Sequence, residues 1–370
     1  MVRVTSSALL AALAAGATAR NCKNLTVPIS ITASNTQFTL EAPSDNVEVT
    51  NFALNLARPG ANYTAEVLGA DQFADVSGNY TIGATYCTPD SGPGSALQVL
   101  THGIAFDRWY WDFPLQNRKY SYADAALARN YSVFFYDRLG LGESSRGEPV
   151  NEIQAAAEIQ ALRALTTMLR SGGGTASGSV PGIEDTYEKV VHVGHSFGSI
   201  QSYALTAAYP ELSDGVALTG FSLALGDYVP DFLLGANFVE ARGASPALAA
   251  YPEGYLASGD KSAVQTNFFA PGDFDPAVLD AAYATGQPVT VGELMTIGTA
   301  ASGRNSYGGP VLVITGDRDI PFCGGNCSTS EPSIPAQVSE YFTNASSFEA
   351  VVVCGAGHGL NLVFYSPNVL

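Results

Sequence analysis

The 370-residue sequence predicts an α/β fold: a mostly parallel, twisted sheet with helices on both faces, a β-rich antiparallel N-terminal extension and an inserted helical cap. Three observations predict it. From residue 96 onward, apolar runs of strand length alternate with helix-length runs, the pattern of a parallel sheet covered on both sides. One such run, 187–193, leads into Gly194-His195-Ser196-Phe197-Gly198, and a helical pattern follows directly. The alternation then breaks over 223–309 and resumes at 310, as an insertion between two strands would make it do.

Taken in order, residues 1–19 carry Arg3, a short apolar stretch at 8–15 and the small-x-small triplet Ala17-Thr18-Ala19, the tripartite pattern of a cleaved signal peptide. Residues 20–95 read as the β-rich part, with strands expected at 27–32, 47–56 and 80–86. The alternation Val47-Glu48-Val49-Thr50 suggests half-buried antiparallel pairing. Strands follow at 97–100 and 132–136, a helix at 152–170 and a Gly/Ser loop at 171–179. After the elbow strand and its helix, which Pro210 ends, comes a strand at 216–218. The cap, 223–309, holds a capping box Thr290-x-x-Glu293 and a helix start at Asp275-Pro276. Strands at 311–315 and 348–353 complete the core, so the core is 20–222 with 310–370.

Composition narrows the function classes. The net charge is −17 and becomes one unit more negative without the leader. Such a surface repels nucleic acid and anionic lipid, so neither is an expected partner. Six Asn-x-Ser/Thr sequons, at Asn24, Asn62, Asn79, Asn130, Asn326 and Asn344, accompany the leader and predict a secreted glycoprotein. Five cysteines suit an oxidising compartment. Cys22 with Cys87 would staple the N-terminal part, and Cys323 with Cys327 would close a small loop, leaving Cys354 free; alternatively Cys354 pairs with Cys323 or Cys327. No Cys/His spacing suits a metal, and no metal or organic cofactor is expected.

The chemistry centres on Ser196. A Gly-x-Ser-x-Gly turn between strand and helix presents a hydroxyl at the tip of a tight bend, over a fresh helix N-terminus. That hydroxyl needs a base, usually a histidine oriented by a carboxylate. Of the four histidines, His358 lies on a Gly-rich loop after the last strand, free to project across the sheet's C-terminal edge. His192 sits within a strand and is expected to be core. His195 should pack away from the serine hydroxyl, and His102 should shape the His102-Gly103 turn. The acid is expected in Gly316-Asp317-Arg318-Asp319; Asp319 is preferred and Asp317 is the alternative. The Phe197 and Ile104 amides are the expected oxyanion donors. Trp109 and Trp111, beside that loop, would form an aromatic substrate wall or else anchor the loop to the core. Phe268 and Phe269 would close the wall from above or pack the cap.

His102-Gly103, Asp137-Arg-Leu-Gly-Leu-Gly-Glu-Ser144, Gly194-His-Ser-Phe-Gly198, Gly316-x-x-Asp319 and Gly357-His358 stand in this order from residue 96 to the end. In this the sequence resembles the capped, single-domain branch of the α/β-hydrolase superfamily, and its secretion signals resemble those of secreted fungal serine hydrolases. The resemblance implies Ser196 as nucleophile, Asp319 as acid and His358 as base, and a structural role for the Asp137 turn. Serine at the elbow sets the chain apart from epoxide hydrolases and haloalkane dehalogenases, which carry aspartate there. The expected activity is hydrolysis of a carboxylic ester or lactone of an apolar or aromatic small molecule. The alternatives are the same triad on an amide, peptide or carbon–carbon bond, acyl transfer, or a non-catalytic secreted binding protein.

Overall fold

A computed structural model describes residues 20–172 and 178–364. The leader, most of the Gly/Ser loop and the last six residues lie outside the described residues. Eight strands form the main sheet: β1 (Arg20–Phe38), β2 (Leu68–Pro89), β3 (Leu97–Thr101), β4 (Ser132–Tyr136), β5 (Val190–His195), β6 (Gly215–Thr219), β7 (Pro310–Gly316) and β8 (Ser347–Val353). Their spatial order is β1-β2-β4-β3-β5-β6-β7-β8. From β4 to β8 all pairings are parallel, while β1 pairs antiparallel with β2 and β2 antiparallel with β4. The central strands are buried end to end, as expected of strands covered on both faces.

The N-terminal part is one long two-stranded ribbon. Cys22 lies directly opposite Cys87 in its register, and the two form a disulfide. Cys323 pairs with Cys327, and Cys354 is a free, exposed thiol at the end of β8. Residues 47–56, expected as a strand, are instead a helix, α1 (Asn46–Leu56). The deciding feature is Asp45: its carboxylate accepts from the Val47 and Glu48 amides and fixes the helix start. Val49, Phe52 and Ala53 then share one face and are buried, a helical spacing that outweighs the local alternation.

The helix α2 (Ala155–Arg170) packs against β1, and α3 (Phe197–Ala208) follows β5. The cap includes α4 (Lys261–Phe268), α5 (Pro276–Ala284) and α6 (Val291–Ala300). It also carries a small antiparallel sheet of Phe238–Glu240, Tyr255–Ser258 and Val289–Thr290, so it is not wholly helical. The Thr290–Glu293 capping box is formed in both directions, and Asp275 caps α5 with Pro276 in its first turn.

Cap and core are joined by a buried ionic cluster. Arg138, just after β4, donates from Nη1 to Glu158 Oε1 and Oε2 of α2 at 2.7 and 2.9 Å and also pairs with Glu293 of α6. All three side chains are excluded from solvent. Gln201 Nε2 of α3 donates to Glu158 Oε2 at 2.6 Å. One guanidinium faces two carboxyls, and the Glu158 carboxyl is held well above the usual carboxylate range. Burial is the first cause, and the neighbouring Glu293 adds to it against the pull of Arg138.

A carboxyl that holds its proton only in the folded state stabilises the fold most in acid. That contribution is lost as pH rises above the unfolded carboxylate range toward the raised folded value. Glu158→Gln keeps the shape without the proton, so its denaturation midpoint should gain on the wild type at pH 8 relative to pH 5. An equal loss at both pH values would contradict the assigned proton. Arg138→Gln, which strands two buried carboxyls, should lower stability by about 3–5 kcal/mol in chemical denaturation.

Candidate active site

The elbow is built by crowding. Ser196 adopts φ 57° and ψ −121°, a strained backbone for a residue with a side chain. It is held by its own amide donating to Thr219 O at 2.9 Å and by Ser199 and Ile200 donating to its carbonyl. The first turn of α3 presses on the end of β3, since a Cβ at Gly198 would lie 2.0 Å from Thr101 O. The loop after β3 is equally close: a Cβ at Gly103 would stand 2.6 Å from Ser196 Cβ and 3.2 Å from its Oγ. Ser196 is nearly buried, and among the described residues its Oγ makes no hydrogen bond.

Asp319, not Asp317, meets His358. His358 Nδ1 donates to Asp319 Oδ2 at 2.7 Å, with both side chains wholly buried. The same oxygen accepts from Thr315 Oγ1 at 2.5 Å, and Oδ1 accepts from the Phe322 amide at 2.9 Å. Asp317 is partly exposed, and its backbone links the β7 and β8 ends to the Cys327 loop. With Nδ1 donating, the free lone pair of a neutral His358 lies on Nε2, which is buried and has no hydrogen-bond partner among the described residues. No hydrogen bond joins Nε2 to Ser196 Oγ, but the two residues share a neighbourhood. The ring of His195, adjacent to the serine in sequence, lies 4.7 Å from that of His358, and a Cβ at Gly220 would touch both rings.

The other histidines behave as the sequence suggests. His192 contacts Thr166 and Ser213 hydroxyls, each at 2.9 Å, and burial first, then Arg170, pushes it down to about 3. His195 stacks on Tyr110 at 4.3 Å. Thr219 Oγ1 donates to Gly194 O, so His195 Nδ1 is the donor toward Thr219 at 3.1 Å. His102 Nδ1 donates to Gly103 O at 2.8 Å and its Nε2 accepts from the Arg138 amide at 3.1 Å. Burial is the first cause that holds His102 and His195 well below the usual histidine range, with Arg138 adding to it at His102 and the neighbouring His358 at His195.

His102 therefore braces the loop that carries Ile104. Neither the Ile104 amide nor the Phe197 amide has an acceptor among the described residues. The loop continues through Ala105, at φ 69°, to Asp107 and Arg108. The cap holds it there: the Gln287 amide donates to Ala105 O at 3.0 Å, and Gln287 Nε2 donates to Asp107 Oδ2 at 3.3 Å. Burial, with Asp137 adding to it, pushes the Asp107 carboxyl up to about 7. Arg108 Nη1 donates to Asp137 Oδ2 at 2.6 Å, and Ser144 Oγ donates to Asp137 O at 2.7 Å, which makes the Asp137 turn a structural tie.

The tryptophans do not form the expected wall. Trp111 is fully buried against Tyr110 and Tyr122, anchoring the loop to the core. Trp109 lies at the surface with Arg108 5.3 Å from its ring. The aromatic groups at His358 are instead His195, Phe322 and the cap residue Phe268, at 4.7, 5.4 and 5.5 Å between ring centroids. Phe269 packs against Phe274 within the cap. Sequence reasoning missed Tyr110, Phe322, Thr315 and Gln287. Only Phe322, at a fixed offset from Asp319, carries any local signal.

Residues 98–370 match the sequence model of the alpha/beta hydrolase family. No curated protein matches the chain. Among solved structures, a putative non-heme bromoperoxidase, BpoC, from Mycobacterium tuberculosis is similar at 17% identity and TM-score 0.50, over 78% of this chain and 91% of that one. A thermophilic esterase from Thermogutta terrifontis shows 16% identity and TM-score 0.48, over 76% and 88%. An enol-lactonase from Burkholderia xenovorans LB400 shows 17% and 0.47, over 76% and 91%.

Gly103→Ala tests the close approach of the loop to the serine. The added methyl meets backbone as well as Ser196 and must displace the Ile104 amide, so turnover should fall about 10²- to 10³-fold while the folded circular-dichroism spectrum is kept. Unchanged turnover on an ester substrate would contradict the packing described.

Proposed function

The chain belongs to the alpha/beta hydrolase family, and from that premise we propose that it is a serine hydrolase acting on a carboxylic ester or lactone of an apolar small molecule. The observation that carries the reading is the buried 2.7 Å hydrogen bond from His358 Nδ1 to Asp319. It leaves Nε2 unpartnered in the neighbourhood of an unpartnered, strained serine. Ser196 Oγ attacks the carbonyl carbon and gives its proton to His358 Nε2. Asp319 fixes the tautomer and stabilises the imidazolium, and is itself held in place by hydrogen bonds from Thr315 and the Phe322 amide. The free Phe197 and Ile104 amides receive the negative charge that develops on the carbonyl oxygen. His358 then protonates the leaving alcohol, and water, activated by the same ring, releases the acid and restores Ser196.

Secretion belongs to the same reading. All six sequon asparagines are exposed, and two disulfides suit an oxidising compartment. No helix among the described residues is long and apolar enough to cross a membrane.

The test is labelling with an ethyl fluorophosphonate, followed by peptide mapping, together with turnover of p-nitrophenyl esters. Covalent label on Ser196, and a loss of about 10⁴-fold or more in kcat for Ser196→Ala, are the expected results. Label on another residue, or wild-type turnover in the variant, would refute the mechanism. Hydrolysis of amides or peptides with no ester turnover would move the substrate class but keep the nucleophile. An inert Ser196 would favour a binding protein.

A further inference from the structure

Building on the serine-hydrolase reading, we propose that Phe322 and Phe268 are positioning residues that act through the base, two walls of an aromatic cage that stabilises the His358 imidazolium in the transition state. When Ser196 Oγ bonds to the carbonyl carbon, its proton passes to His358 Nε2. The ring then carries a positive charge and the carbonyl oxygen a negative one. The His358 side chain is wholly buried, so water cannot solvate that cation. Asp319 compensates the charge from one edge. Its bond to Nδ1 runs along the N–H direction, in the plane of the ring, and does not reach the two faces.

The imidazole is packed among aromatic rings. Phe322 stacks on His358 with 21° between planes and 5.4 Å between centroids. Phe268 lies 5.5 Å away at 35°, and His195 lies 4.7 Å away at 37°. An aromatic face carries the negative part of the ring quadrupole and attracts a cation within about 6 Å of its centroid. All three rings are themselves buried, so water does not screen that attraction. Tyr110 stacks on His195 at 4.3 Å and 14°, which extends the group of rings back to the oxyanion loop.

The backbone is shaped to admit this packing. Gly220 has φ 55°, and a Cβ there would stand 2.7 Å from the His358 ring and 2.9 Å from that of His195. A Cβ at Gly357 would meet the Ala270 nitrogen at 2.6 Å and the Phe268 carbonyl oxygen at 2.7 Å. The Gly359 amide donates to that same carbonyl at 2.8 Å, fixing the end of α4 to the histidine loop. Phe322 is held from the other direction, its amide donating to Asp319 Oδ1 at 2.9 Å. One wall therefore comes with the acid and the other with the cap, and the cage is complete only when the cap is seated on the core.

The experiment separates the charge of the ring faces from their shape. Phenylalanines carrying one, two or three ring fluorines replace Phe322, Phe268 or, as a control, Phe52 of α1, which is buried against Tyr63. Fluorine draws electron density from the face and scarcely changes the size of the ring. Working sites are counted with ethyl fluorophosphonate, and kcat/KM for p-nitrophenyl acetate is expressed per labelled site. It should fall stepwise along the Phe322 and Phe268 series, by about threefold to thirtyfold in all, and stay within about twofold at Phe52. Flat series at both cage positions, with full labelling, would overturn the cage, since rings that merely fill space tolerate fluorine. An equal fall at Phe52 would overturn it too. A flat series at one position removes that ring from the cage. A wild type that neither labels nor turns over the ester would overturn the serine-hydrolase reading itself, a result distinct from normal labelling with no response to fluorine.

Discussion

The contact on which the site depends is the buried guanidinium of Arg138. Its side chain binds Glu158 from the core and Glu293 from the cap, its backbone amide fixes His102, and its charged plane lies 4.8 Å from the ring of Phe197. Removing a charge from water costs several kcal/mol, and only dense pairing offsets it. The geometry supplies pairing by drawing α2 and the cap onto one cation, while the backbone amide of the same residue ties down the oxyanion loop through His102. A non-directional apolar interface would hold the cap on as well, but it would permit sliding. Charge-assisted contacts from the single nitrogen Nη1 to carboxyls on two elements fix one register, while Nε and Nη2 stay buried without a partner among the described residues.

Around that anchor the reacting groups are positioned by separate ties. The strained turn at Ser196 is secured by Thr219 and by the first turn of α3, Asp319 by Thr315 and Phe322, and His358 by Asp319 and the cap backbone at Phe268. All of these groups emerge from the C-terminal ends of parallel strands, where loops converge and side chains from distant parts of the chain can meet. The strain at the serine is tolerated because several strong local hydrogen bonds over-determine its backbone.

Much of this architecture was legible in the sequence, for a local reason. Strand 132–136 is a continuous apolar run and has the bounds it was expected to have; the helix expected at 152–170 is present but begins three residues later, at Ala155, and the Thr290–Glu293 capping box announces itself over a few residues. The elbow, the Gly316-x-x-Asp319 turn and the Gly357-His358 loop are short motifs whose spacing reflects turns, so Asp319 could be preferred as the partner of His358, while the choice against Asp317 needed coordinates. What could not be read was set by distant contacts. Residues 47–56 alternate like a strand, yet the Asp45 cap and burial against the core make them a helix. Trp111 looks like a pocket wall beside a motif, but it is drawn into the core by Tyr110 and Tyr122. Phe268 and Gln287 reach the site from an insertion whose sequence carries no trace of its register against the core.

The outermost strand, β1, carries a consequence for the molecule's behaviour in concentrated solution. Nineteen residues long, it borders the sheet on one side, with no further strand beyond it among the described residues. An open edge of that length invites another chain to add itself, the first step of aggregation. Pro28 removes one amide from that edge, and the outward positions Thr26, Ser30, Thr32 and Ser34 are short and polar, so a second chain finds an interrupted ladder and little apolar surface to dehydrate. This long edge strand is thereby a poor template for its own kind.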